Sequence, residues 1–164
     1  MRTATLRSLI YLAAGIGLIV SIFAALEFYE ASLRSLCSFN GFFSCSAVDT
    51  SGKTSTFGIP DYLWGVGGFL LILVVAGLAE SRARDRRWSW TLLGVTSIGV
   101  AVTLYFLYVQ LAEIGAFCIV CATAYVFGWV AWAGALALVR TSGAKAAGDA
   151  EEAEGSSDAE GAES

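Results

Sequence analysis

The sequence predicts an all-α membrane protein: a four-transmembrane-helix bundle with an extracytoplasmic loop between helices 1 and 2. Three observations carry this. Four apolar runs each approach the roughly 20 residues that an α-helix needs to cross a bilayer. The chain is 57% apolar and 15% charged, with a single proline and a mean hydropathy of +0.69; soluble domains are usually about 45–50% apolar. The basic residues gather at the ends of the runs rather than within them.

Residues 1–8 are short and basic, with Arg2 and Arg7. The first span follows at 9–28, with small residues at Ala13, Ala14, Gly15 and Gly17. A cleaved signal peptide has a similar charged-then-apolar pattern, but its core is shorter, about 7–15 residues. This run also ends in Glu27-Phe28-Tyr29-Glu30, not in a small-x-small cleavage site, so it is expected to stay. Residues 30–60 form the largest polar segment between spans and hold Cys37 and Cys45. Phe39, Phe42 and Phe43 lie between and beside these cysteines, suited to anchor at the membrane surface or to cover a pocket. Residues 49–56 read as exposed loop. Phe57-Gly58-Ile59-Pro60 introduces the second span, 61–79, with Pro60 expected in its first turn, where the missing N–H is no loss.

Residues 80–87 make a tight basic turn with Arg82, Arg84, Arg86 and Arg87. Trp88 and Trp90 suit an interfacial anchor. The third span, 91–111, carries Gly94, Ser97, Gly99, Ala101 and Thr103, which allow close helix approach. A short connection with Glu113 leads to the fourth span, 118–139, closed by Arg140. Residues 1–140 therefore form one membrane domain. Residues 141–164 are rich in Gly, Ala, Ser and acid without an aromatic residue, a composition that predicts a disordered tail with no chemistry of its own.

Eight basic residues (Arg2, Arg7, Arg82, Arg84, Arg86, Arg87, Arg140, Lys145) fall on one side of the bundle and two (Arg34, Lys53) on the other. Basic residues near helix ends favour the cytoplasm. Both termini are therefore expected to be cytoplasmic, in the plasma membrane, with all four cysteines at or near the extracytoplasmic face, where disulfides persist.

The net charge of −4 is set by the tail: seven of the fourteen acids lie in the last sixteen residues, leaving ten basic against seven acidic residues elsewhere. No basic patch with interleaved aromatics is present, which argues against nucleic acid as a partner. The absence of histidine removes the commonest metal ligand and general base.

The chemistry points to cysteine. Cys118 and Cys121 form a Cys-x-x-Cys pair at the head of an apolar run. Unpaired N–H groups at a helix start favour negative charge, and the thiolate is the nucleophile of disulfide exchange. Cys37 and Cys45 supply a second pair on a loop. A mobile pair that meets a soluble partner and a fixed pair that meets something in the bilayer would suit a redox relay. Two buried cysteines can also simply pack as small hydrophobes, and two static disulfides can staple a loop. A structural zinc site is disfavoured, because such sites prefer two close knuckles; no metal is expected. No glycine-rich dinucleotide fingerprint is present. By elimination, the simplest acceptor is a lipid-soluble quinone, which takes the two electrons a dithiol gives.

These residues resemble the vitamin K epoxide reductase family over roughly residues 9–139. The features are Cys37-x7-Cys45 followed by Ser46 and Ser51, the Phe57-Gly58-Ile59-Pro60 entry to the second span, and Phe117-Cys118-Ile119-Val120-Cys121 followed by Tyr125. The resemblance implies that Cys121 attacks a quinone, that Cys118 exchanges with Cys45, and that Cys37 meets the redox partner. It implies that Tyr125, one turn beyond Cys121, lines the quinone pocket. Asp61 falls near a quinone-contacting asparagine of animal members, and equally suits the cap of the second helix. Ser51 reads as a loop hydrogen-bonding residue. Prokaryotic members oxidise a thioredoxin-fold protein and reduce a membrane quinone, of menaquinone, ubiquinone or vitamin K type; animal members reduce vitamin K epoxide. With no fused thioredoxin domain in this chain, the expected partner is a separate thioredoxin-fold protein. The alternatives are an epoxide reductase of the animal type and a non-catalytic four-span scaffold.

Overall fold

The computed structural model describes the backbone of residues 2–30, 42–53, 55–56, 58–81 and 86–161, with most side chains up to Thr141. Helix α1 spans Arg2–Tyr29 and a short helix α2 spans Cys45–Thr50. Strands β1 (Ser55–Thr56) and β2 (Ile59–Pro60) pair antiparallel, with Ser55 opposite Pro60. Helix α3 follows at Asp61–Ser81 and helix α4 at Arg86–Tyr108, which continues as a π-helical segment, Val109–Ile114. Helix α5 begins at Ile119.

Among the described residues four stretches are long and apolar enough to cross a membrane: Thr3–Tyr29, Asp61–Ser81, Arg87–Ile114 and Ile119–Thr141. They make the chain an integral membrane protein with the expected four-helix architecture. Large apolar side chains such as Ile19 and Ile98, each about two-thirds exposed, face outward, as lipid contact requires. Hydroxyls within the spans return to their own helix: Thr96 donates to the Leu92 carbonyl and Thr123 to that of Ile119. Hydrocarbon offers no other partner.

Pro60 departs from expectation. It ends β2, immediately before Asp61, rather than sitting in the first helical turn. A two-residue edge ladder tolerates its missing N–H. Helix α5 is assigned through Gly161, where composition predicts disorder. The alanines and glutamates of that stretch are strong helix formers, a preference that a burial argument leaves out.

The four long helices pack in a ring, each against two neighbours: α1 between α3 and α5, and α4 between the same two. The dry core occupies the end bearing the α3–α4 turn, where Ile10 and Ala14 meet Ile72, Val75, Ala76, Leu92, Ala135 and Leu138. Helix α1 approaches α3 closely because Gly17 leaves room for the Phe69 ring, which a Cβ at that position would strike. Between α4 and α5 the Trp129 Nε1–H donates to Thr103 Oγ1 at 2.9 Å and the Trp132 Nε1–H to Ser97 Oγ at 3.0 Å. Interhelical bonds of this kind contribute about 0.6 kcal/mol each.

The Gly17–Phe69 contact is testable. Gly17→Ala is expected to lower the thermal midpoint in detergent, by overpacking of about 1–3 kcal/mol. Gly15→Ala, which meets no atom within 4 Å, is expected to leave the midpoint unchanged.

Candidate active site

The opposite end of the bundle is built differently. The segment before α2 lies against the segment before α5. The Phe117 N–H donates to the Phe42 carbonyl at 2.7 Å, and Phe43 and Phe117 form an isolated parallel bridge. The three rings cluster, with Phe42 and Phe117 parallel at 6.3 Å and Phe43 edge-on to both. Phe42 and Phe43 thus pack against the segment that leads into the second cysteine pair. Phe39, like Cys37, lies outside the described residues. Ser44 caps α2, its Oγ accepting the Ala47 N–H, which begins the helix at Cys45. Val48, fully buried, packs one turn later. Ser51 closes α2 through its hydroxyl bond to the Val48 carbonyl at 2.7 Å and accepts the Lys53 N–H. Lys53 then reaches the Glu113 carbonyl at 3.2 Å and its carboxylate at 3.8 Å.

This docking brings together two sulfurs 73 residues apart. Cys45 Sγ lies 3.3 Å from Cys118 Sγ, and both residues are almost wholly buried. Cys45 is disulfide-bonded, whereas Cys118 and Cys121 stand as thiols. A separation of 3.3 Å is within the roughly 3–3.5 Å of a near-attack geometry.

Cys118 occupies the position of an N-cap. Its carbonyl accepts the Ala122 N–H, and its sulfur accepts the Cys121 N–H at 3.3 Å, the bond a serine or aspartate cap would make. Cys121 lies on the far side of that turn, with its Sγ 3.9 Å from Asp61 Oδ2. Asp61 is the first residue of α3, so it both suits that helix start electrostatically and faces the thiol.

Cys121, Asp61 and Tyr125 line one cavity of about 110 Å³ between the helices. Its walls are otherwise predominantly apolar: Trp64, Phe69 and Phe106 alternate with Gly65, Gly68, Gly99 and Gly128. Gly68 and Gly99 leave hollows between the helices where side chains would otherwise stand, whereas Gly65 lets α3 come close to Ser21 of α1. A quinone is a flat apolar ring with hydrogen-bond-accepting oxygens, and an apolar slot with a phenol and a thiol at one end fits that chemistry. Among the described residues no cluster of candidate metal ligands occurs.

A sequence profile of the vitamin K epoxide reductase family matches residues 8–136, more than three-quarters of the chain. The chain belongs to the vitamin K epoxide reductase family. Membership implies a quinone-linked thiol oxidoreductase in general terms. The matched region runs from within α1 into the first half of α5, and so contains both the Cys45–Cys118 contact and the cavity.

Gln110 was not anticipated from the sequence. It is completely buried in the π-helical segment, and its side chain joins two site residues. Oε1 accepts the Cys118 N–H at 3.2 Å and Nε2 donates to Tyr125 Oη at 3.1 Å. A signal existed, because Gln110 is the only glutamine of the chain and lies in an apolar run. An amide in hydrocarbon is costly unless it has work to do.

The docking contacts generate an ordering of effects. In a protein carrying both Cys37→Ser and Cys121→Ser, which keeps only Cys45 and Cys118, a Cys45–Cys118 disulfide is expected to form on mild oxidation, detectable by mass spectrometry of non-reduced peptides. Phe117→Ala should slow its appearance several-fold to tenfold, since aromatic pairs contribute about 0.5–1.5 kcal/mol beyond burial. Lys53→Ala should change it less than about threefold, because the pair is half exposed and such bridges are weak.

Proposed function

We propose that this protein forms disulfides: it takes electrons from a reduced thioredoxin-fold partner and passes them to a membrane quinone. The observation that carries this reading is the 3.3 Å approach of a disulfide-bonded loop cysteine to a thiol of the Cys-x-x-Cys pair, with Cys121 on an apolar cavity. The partner's dithiol reduces the Cys37–Cys45 disulfide by way of Cys37. The Cys45 thiolate then attacks the Cys118–Cys121 disulfide at Cys118, with Cys121 as leaving thiolate. Cys37 resolves the Cys45–Cys118 mixed disulfide, which restores the loop disulfide and leaves both membrane cysteines reduced.

Cys121 is the residue that delivers electrons into the cavity, and Cys118 closes the disulfide behind it. Oxidation of the pair releases two electrons and two protons, the number that separates a quinone from a quinol. The Asp61 carboxylate, 3.9 Å from the Cys121 sulfur, is suited to take up the thiol proton. Tyr125 hydrogen-bonds a substrate oxygen. The membrane domain is residues 1–140. The distribution of basic residues supports cytoplasmic termini in the plasma membrane, with the cysteines working at the extracytoplasmic surface.

The test is quinone reduction by the purified protein with a dithiol. Cys121→Ala and Cys118→Ala are expected to lose at least about a hundredfold, as removal of a covalent nucleophile does. Tyr125→Phe is expected to raise the quinone KM about tenfold, the worth of one hydrogen bond of ~1.4 kcal/mol. A Cys121→Ala protein working at the native rate would remove the assignment. Reduction of a vitamin K epoxide at a rate matching the parent quinone would favour the animal-type reaction instead.

A further inference from the structure

We propose that Gln110 is a positioning residue that sets the direction of the Tyr125 hydroxyl proton and ties it to the Cys118 turn. The inference rests on the reading of the cavity as a quinone site. The argument begins with a donor that has no alternative. Cys118 caps the start of α5, and the N–H groups of a helix start have no intrahelical acceptor. That N–H can only donate, so the oxygen of the Gln110 amide must face it, as the 3.2 Å contact records. The orientation of the amide is then fixed: Nε2 points to Tyr125, 3.1 Å away.

An amide NH2 carries only donors. Tyr125 Oη must therefore accept this bond, and its own proton is directed elsewhere. Among the described residues the Tyr125 hydroxyl donates to no group. Tyr125 lines the cavity beside Cys121 and Gly128, whereas Gln110 does not line it. The proton is thus held ready for an acceptor inside the cavity, such as the oxygen of a carbonyl or quinone. A tyrosine without Gln110 could turn its O–H either way.

The backbone reinforces this. The Gln110 carbonyl accepts the N–H groups of both Gly115 and Ala116, and Gly115, at φ +70°, ends the π-helical segment. Gln110 is therefore held by its main chain as well as by its amide, and is itself wholly buried. One side chain spans the start of the Cys-x-x-Cys helix and the phenol one turn beyond Cys121.

The experiment is a double-mutant cycle on purified full-length protein, with a short-chain menaquinone as the probe and a dithiol as reductant. Gln110→Met keeps the length of the side chain and removes both hydrogen bonds. It is expected to raise the quinone KM about tenfold in the parent protein and less than about twofold in a Tyr125→Phe background, because both changes abolish the same interaction. An equal loss in both backgrounds overturns the proposal, since a merely structural amide acts regardless of the phenol. If Gln110→Met fails to fold, Gln110→Asn, one methylene too short to span both groups, enters the same cycle. A second readout needs no turnover. The C–O stretch of ring-labelled tyrosine, assigned to Tyr125 by its loss in Tyr125→Phe, should shift when the donor at Gln110 is removed. An unshifted band overturns the positioning role even if activity falls. A shifted band in a protein that reduces no quinone sinks the quinone reading alone.

Discussion

The contact on which the site depends is the docking of one extramembrane segment on another: Phe42 and Phe43 against Phe117, tied by the main-chain hydrogen bond from Phe117 to Phe42. It closes a loop of more than 70 residues between Cys45 and Cys118. A flexible chain of that length would rarely hold its ends at 3.3 Å, because loop closure carries an entropy that grows with length. The membrane bundle reduces the problem. With α1, α3 and α4 already packed, the three rings and the capped six-residue helix add the contacts that seat Cys45 against Cys118.

The two ends of the bundle divide the tasks of stability and chemistry. At the α3–α4 end, small and branched residues interlock without a large void, and Gly17 and Gly134 let helices approach closely. At the cysteine end, Gly68 and Gly99 hold space open instead. The same residue type serves opposite purposes. Where a facing ring or branched chain fills the gap, glycine tightens the packing; where nothing fills it, glycine makes a cavity.

The large features were legible in the sequence because they obey a one-dimensional rule. A helix in hydrocarbon satisfies its own backbone, so four apolar runs become four helices with little tertiary adjustment. Likewise the Cys-x-x-Cys pair announces itself by spacing, whereas Tyr125 was singled out through the family resemblance. Asp61 was legible as a helix-start acid, but its approach to the Cys121 sulfur depends on how α3 meets α5. Gln110 was hidden for the same reason. Its meaning lies in a π-helical widening of α4 and in a main-chain donor on another helix, and neither leaves a periodic trace. Pro60 slipped by one position because the tiny β1–β2 ladder, which competes with the helix for it, has no pattern long enough to read.

The burial of Cys45 and Cys118, at 1% and 2% exposure, has a kinetic consequence. Dissolved small thiols have little line of approach to either sulfur, however favourable their reduction of it would be. These two sulfurs resemble the insulated joint of a conductor: the covering keeps ambient thiols off the junction between the two couples.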